Sequence, residues 1–349
     1  KSTKNIKSEI IVVDNNSNDD SINMIKSLFP DVLLIENKVN LGFSYANNLG
    51  VKKAKGKYIC LLNPDTVVPE DFFSRIIKFK ESKNNIGIVG CKMIDGKGNF
   101  LPESKRNLPY TSMVLKRFIG LKNEYYFDNL SKDEIGGVDV LCGAVMFFEK
   151  KDFQKVDGFD EKYFMFGEDI DLSHKLLKQG LKNYYLGDLS IIHYKGESTN
   201  KNHKYYKSFY GAMGIYYRKY LANNILNKLL SYITIELIIF FKSFTIASRL
   251  NFEKKHKDCY LISDIIYDGL KNRVSKQINS IQKLSDKLEN CEIIFDSNHL
   301  SYKNIICTME KFSNNNSVIF KIIPKTANFI IGSDNSKEHG QVILFDLNK

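Results

Sequence analysis

The chain of 349 residues predicts an α/β fold: a mostly parallel sheet flanked by helices, then a helical segment, then a small further α/β domain. Three observations predict it. Short apolar runs end in acidic or amide residues. Helix-like segments alternate with those runs. The alternation resumes near the carboxyl terminus, after a basic and aromatic stretch. At this length two domains or one large one are expected, and 43% hydrophobic content is ample for a core.

The run Tyr58-Ile-Cys-Leu-Leu62, closed by Asn63-Pro64-Asp65, organises the rest. Its length and turn-forming border fit a strand buried on both faces, and Pro64 ends the ladder for want of an N–H. Asp65 then stands at a strand's carboxyl end, where open α/β sheets place ligands. A carboxylate there can hold a divalent cation together with substrate phosphates, or cap the helix that starts near Pro69.

Before it, Glu9–Asp14 reads as a buried strand, and 15–21 as a turn rich in capping residues. A helix follows to about Phe29 and is stopped by Pro30. Val32–Glu36 is a second strand, and Asn40–Gly50 opens a helix that runs to about Ala54. Strand and helix at this spacing imply βαβ units, with Asp14 and Asp65 on the same edge of one sheet.

After Asp65 come a helix from about Glu70 to Ser82, a strand over Ile86–Ile94 and a hairpin turn over Asp95–Gly98. Residues 101–130 give no clear pattern. Val138–Phe148 reads as one long strand, and Lys151–Val156 as a short helix. Gly158–Gly167 is a loop with several large apolar groups. Glu168, Asp169 and Asp171 open a helix that Gly180 closes. Acids at a helix N-terminus are stabilised by the macrodipole alone. Asp169 and Asp171 do not share a helix face, so one can cap while the other points at the sheet edge, where apolar neighbours suit general-base work. Asn183–Leu186 and Ile191–His193 read as short strands.

The six cysteines show no paired spacing and read as free thiols in a reducing cytosol. The net charge of +11 favours an anionic partner, although richness in Lys, Asn and Ile also follows from genome composition. Residues 195–228 hold seven Lys or Arg and one Glu, interleaved with tyrosines. That composition suits an anionic membrane surface or a lipid-linked phosphate, and single-stranded nucleic acid less well given the acids nearby. Leu229–Leu250 is apolar but broken by Glu236 and Lys242, which argues for an interfacial or packed helix over a spanning one. Residues 249–289 lean helical. Cys291–Asp296, Ser301–Phe312, Val318–Ile323 and Asn328–Ile331 form a βαβ unit with a further strand. Gly332-Ser333 is too short for a phosphate loop. The expected division is 1–200, 201–250 and 251–349.

In order, Ile-Val-Val-Asp14-Asn-Asn-Ser, Asn40-Leu-Gly-Phe, Leu-Leu-Asn63-Pro-Asp65, Gly143, Gly167-Glu168-Asp169-Ile-Asp171-Leu and His193-Tyr-Lys-Gly resemble family 2 glycosyltransferases of the GT-A fold. The likeness is strongest to the rhamnosyltransferase-like branch of envelope polysaccharide synthesis, and it covers about Ile10 to Ser198.

The resemblance implies a metal-dependent inverting transferase. It would move a sugar, rhamnose by branch, from a nucleotide-diphosphate donor to a glycan or lipid-linked acceptor at the inner membrane face. Mn²⁺ or Mg²⁺ is the implied cofactor, and no nucleic acid is an expected partner. Asp14, Asn16, Asn40, Gly42, Asn63, Asp65 and Gly143 are the implied donor-binding residues, with Asp65 and His193 at the metal. Asp169 is the implied base, and Glu168 and Asp171 shape the acceptor site.

Two departures bear on this. Asn63 replaces the first acid of the family's DXD-type motif. The family's usual opening strand, which forms part of the nucleotide pocket, is not found before Asp14; only Lys1–Ser8 precede the Glu9 strand, so a fragment whose pocket lacks one wall is expected. The alternative is a non-catalytic sugar-nucleotide-binding or scaffold protein.

Overall fold

The structure, a computed structural model, describes residues 2–113, 125–195, 203–243, 258–285, 288–313, 315, 317–333 and 340–346. Its first part runs β1 (Ile11–Asp14), α1 (Ser21–Leu28), β2 (Leu33–Glu36), α2 (Phe43–Lys53), β3 (Tyr58–Leu62), β4 (Thr66–Val67), α3 (Phe72–Glu81) and β5 (Ile86–Ile94). Then follow β6 (Lys105–Arg106), β7 (Ile135–Val138), β8 (Val140–Leu141), β9 (Val145–Glu149), α4 (Lys150–Lys155), α5 (Glu168–Lys178) and β10 (Lys182–His193).

The main sheet has six strands in the order β3-β9-β5-β10-β4, with β7 on β10. Period-two alternation lets it bury both faces. On β9, Met146 and Phe148 join Ile59, Leu61, Leu172 and Leu176 on one side. Val145 and Phe147 join Phe72, Ile76 and Ile191 on the other.

The sheet is mixed where the sequence reads mostly parallel. β5 and β10 run parallel, while β3 meets β9 antiparallel. β1 and β2 form a separate two-stranded parallel sheet, so Asp14 and Asp65 do not share one hydrogen-bonded edge among the described residues. β1 meets the rest of the fold by packing rather than by a ladder, through α2: Val13 lies against Gly50, and Ile11 against the cluster of Val51, Ala54, Ile59 and Leu61.

The long strand expected over Val138–Phe148 is interrupted. The Asn183 side chain donates to the Asp139 carbonyl, and Asp139 in turn accepts from the Leu108 N–H, so the chain turns between β7 and β8. The two short strands expected at 183–193 are one strand, β10, with an irregularity between Leu186 and Ser190.

The later part holds α6 (His203–Tyr216), a π-helical turn (Tyr217–Leu221) and α7 (Ile225–Ser243), which packs on α6 where Ile235 meets Gly214. A second six-stranded sheet follows: β11 (Asp258–Ile262), β12 (Lys276–Ile278), β13 (Cys291–Asp296), β14 (Val318–Ile323), β15 (Phe329–Gly332) and β16 (Gln341–Leu344). Between β13 and β14 lies α8 (Tyr302–Lys311). The strand order is β12-β11-β13-β14-β15-β16, parallel across the first four. The expected βαβ unit is present. In place of the helix expected within 249–289, the described residues there hold short 3-10 turns at Asp268–Leu270 and Ile281–Lys283 and no α-helix. Buried Leu261 and Ile262 form β11 instead, because their two sides fill different apolar clusters. Gly196, Lys201, residues 244–257 and Asp334 lie outside the described residues.

One glycine fixes the entry to α2. Gly42 has φ of 90°, and a Cβ on it would lie 2.5 Å from the Phe164 carbonyl oxygen. Gly42→Ala is expected to destabilise the fold by roughly 1–3 kcal/mol. Urea unfolding followed by circular dichroism measures this, and an unchanged midpoint contradicts it.

Candidate active site

Asp65 is aimed by the turn after β3. The Asn63 N–H extends the ladder to the Ala144 carbonyl at 3.0 Å, and Thr66 Oγ1 donates back to the Asn63 carbonyl at 2.7 Å. β4 then pairs antiparallel with the end of β10, setting Thr66 opposite His193. The Tyr194 N–H closes on the Asp65 carbonyl at 3.0 Å. As a result His193 Nε2 stands 3.4 Å from Asp65 Oδ1, with both side chains largely buried.

Asp65 Oδ1 and His193 Nδ1 are buried polar atoms without a hydrogen-bond partner. Burying such atoms unsatisfied is costly, and a hard or borderline divalent cation is a fitting partner for carboxylate and imidazole together. The described residues contain no cluster of three or more His, Cys, Asp or Glu that could cage an ion. Asp65 and His193 therefore fit a cation that takes its remaining ligands from substrate phosphate and water.

The acids of α5 form a second group. Gly167, with φ of 78°, turns the chain into the helix, and its carbonyl accepts the first helical bond, from the Asp171 N–H. Asp169 Oδ2 accepts from Arg106 Nη2 at 2.5 Å and from the Gly143 N–H at 3.0 Å; Oδ1 accepts from the Ile170 N–H at 2.8 Å. Arg106 comes from β6, where pairing with β8 sets it opposite Val140. Its guanidinium also donates to the Leu141 carbonyl and to the Tyr125 hydroxyl. Burial works against the Arg106 charge, but the Asp169 carboxylate outweighs it and holds the guanidinium firmly protonated.

Glu168 has no such partner. Its Oε2 is buried without a hydrogen bond, and burial followed by the nearby Asp169 charge pushes its pKa up to about 8. The two adjacent acids are thus set apart: Asp169 shares the charge of Arg106, and Glu168 carries a proton at neutral pH.

Asp171 has a different setting. It is fully buried, accepts from the Tyr220 hydroxyl at 2.9 Å, and pairs with Lys219 at 2.8 Å and Lys175 at 3.6 Å. It ties α5 to the turn after α6, so any influence on an acceptor passes through Lys219 and Tyr220.

A third group gathers the ends of β1 and β2. Asp14 is buried and accepts from the Ser17 N–H at 3.0 Å; Asn16, exposed, has a left-handed φ of 66°. Asn15 donates to the Gly42 carbonyl, Asn40 accepts from the Gly42 N–H, and the Phe43 N–H bonds the Phe164 carbonyl in the loop before α5. The structure thus joins Asp65 with His193, Asp169 with Gly143, and Asn40 with Gly42. Hydrogen bonds leave Asn16 outside these groups among the described residues.

Arg106 escaped sequence reading because Lys105-Arg106 lies in the stretch 101–130 that shows no period. Its only signal was a basic pair beside Pro102 and Glu103, which says nothing of a partner 63 positions away.

A raised carboxyl pKa favours the folded state at low pH. The Glu168 contribution is fully present below its ordinary value of 4.5 and is lost as pH rises through about 8. Glu168→Gln is expected to flatten the decline of thermal stability over that window, read as Tm against pH. A decline as steep as the parent's counts against a buried, neutral Glu168.

The chain is similar to known proteins over part of its length. The family model described as glycosyl transferase family 2 matches residues 1–157, and one described as N-terminal domain of galactosyltransferase matches 134–211. The rhamnosyltransferase WbbL of Escherichia coli (strain K12) is 33% identical over 162 residues, which is 44% of this chain and 61% of that protein. The N-acetylglucosaminyl-diphospho-decaprenol L-rhamnosyltransferase of Mycobacterium tuberculosis (strain ATCC 25618 / H37Rv) is 23% identical over 211 residues, 55% of this chain and 68% of that one. Among solved structures, GalNAc-T7 with UDP, GalNAc and Mn²⁺ superposes with a TM-score of 0.47 at 15% identity, covering 69% of this chain and 51% of that chain. Over residues 1–157 the chain is similar to family 2 of the glycosyltransferases, with rhamnosyltransferases among its relatives, and it spans 61% of the length of WbbL.

Proposed function

We propose that the chain transfers a sugar, with inversion, from a nucleotide-diphosphate donor to a hydroxyl of a glycan or lipid-linked acceptor in envelope polysaccharide synthesis, and that the sugar is rhamnose. The observation that carries this reading is the approach of His193 Nε2 to Asp65 Oδ1, 3.4 Å apart and largely buried, with Oδ1 lacking a hydrogen bond, alongside a second carboxylate, Asp169, locked in place by Arg106 and Gly143. A divalent cation such as Mn²⁺ or Mg²⁺, held by Asp65 and His193, supplies charge neutralisation for the leaving diphosphate.

The chain's own residues do the rest. Asp169 accepts the proton of the acceptor hydroxyl as that oxygen bonds the anomeric carbon and the bond to the diphosphate breaks. Arg106 and Gly143 occupy Oδ2, so the carboxylate keeps one orientation and Oδ1 retains a free lone-pair direction. Asp14, Asn16, Asn40 and Gly42 are the proposed contacts for base and ribose.

Asp169→Asn is expected to fold and bind donor but lose transfer by about 10²–10⁴-fold, the usual weight of a general base. Asp65→Asn is expected to lose Mn²⁺-dependent donor binding. Isothermal titration with a panel of nucleotide sugars and single-turnover transfer measure both. Near-normal transfer by Asp169→Asn removes the base assignment, and no donor binding by the parent chain favours a scaffold.

The place of action proposed is the inner face of the cell membrane. No helix among the described residues is long and apolar enough to cross a bilayer. α7 nevertheless exposes Ile225, Leu226, Leu229, Leu230, Ile233 and Phe240, and over 225–240 it buries a stripe of Ser231, Ile235 and Ile239. Lys228 and the half-exposed Arg218 lie beside that apolar face, which suits a helix lying in an anionic interface. Leu229→Glu with Ile233→Glu is expected to abolish co-sedimentation with phosphatidylglycerol vesicles. Vesicle binding retained by that variant, or a stable dimer in its place, contradicts the proposal.

A further inference from the structure

The second sheet domain meets the first directly behind Asp65 and His193. The N-termini of α3 and α8 come together there, and each favours a nearby negative charge. Glu70 lies between them. Its Oε1 accepts from the Tyr302 N–H at 2.9 Å and its Oε2 from the Lys303 N–H at 3.2 Å, while Lys303 Nζ pairs with Asp71 at 2.7 Å. A carboxylate of one domain thus satisfies the first free amides of a helix in the other.

The far end of α8 is held as closely. Glu310 pairs with Lys92 at 2.7 Å and accepts from Ser190 Oγ at 3.0 Å. Gly98 approaches so near that a Cβ on it would lie 2.1 Å from the Met309 carbonyl oxygen. Between these ends, Val67 of β4 and Tyr194 beside His193 pack into one apolar cluster with Phe295, Ile305 and Met309. The segment from Asp65 to Asp71 is therefore gripped on one side by β10 and on the other by α8.

We propose that α8 is a clamp that sets Asp65 beside His193, with Glu70 as a positioning residue, so that the C-terminal domain is a working part of the transfer site. This rests on the reading of Asp65 and His193 as the cation pair.

Hydrogen exchange on the full chain tests it. In Glu70→Ala, loss of two charge-assisted bonds is expected to speed exchange over 65–71 and 192–194 by about 10-fold, with α5 unchanged. Glu70→Gln should show a smaller change of the same sign, and Gly98→Ala the same pattern from the other end of the clamp. The Mn²⁺ needed for binding a nucleoside diphosphate should rise several-fold in each. Faster exchange in α8 alone, or an equal rise everywhere including α5, overturns the proposal. A parent chain that binds no Mn²⁺ with nucleoside diphosphate sinks the cation reading instead, and the exchange result stands apart from it.

Discussion

β10 is the strand on which the rest depends. It pairs with β5 through the middle of the main sheet, with β7 along part of its other edge, and with β4 at its end. Its last residues bring His193 to Asp65 and deliver Ile192 and Tyr194 to the cluster shared with the second domain. A register slip of one residue would turn His193 to the other face. The alternation of buried Ile191 and Ile192 into different clusters resists that slip, because each has its own apolar partners.

The buried charges follow a consistent logic. Asp169 and Arg106 are both nearly inaccessible, and each bonds the other and a backbone group, while Arg106 Nε is left without a hydrogen bond. Such a pair adds little net stability, since desolvation offsets the Coulomb attraction, but removing one partner strands the other. It fixes geometry instead. Glu168, the residue before it, makes no ion pair among the described residues and burial raises its pKa, while Asp171 has two lysines and a tyrosine. Three acids in four residues therefore have three environments, and helix geometry is the cause. Positions one and two apart on a helix do not face each other, which sends Asp169 toward Arg106 of β6 and Asp171 toward Tyr220 in the turn after α6.

The two domains are joined by more than a linker. Their common cluster, the Glu70 cap on α8 and the Lys92–Glu310 pair lie along one face that ends at the candidate cation pair. The exposed apolar side of α7 is a separate feature, attached to the acids of α5 through Lys219, Tyr220 and Asp171.

Much of this was legible in the sequence. Local patterns placed β1, β2, β3 and β5, the α5 start and the βαβ unit near the end, because strand alternation, capping and turn chemistry act over a few neighbours. What only the tertiary structure decided has a common physical reason: it depends on contacts between residues distant in sequence. The split of β1 and β2 from the main sheet, the continuity of β10, the partnership of Arg106 with Asp169, and the cap that Glu70 gives to a helix 232 positions away are of this kind. No periodicity encodes a pairing at such separation. Chain composition fixes which groups are available, and only packing fixes which of them meet.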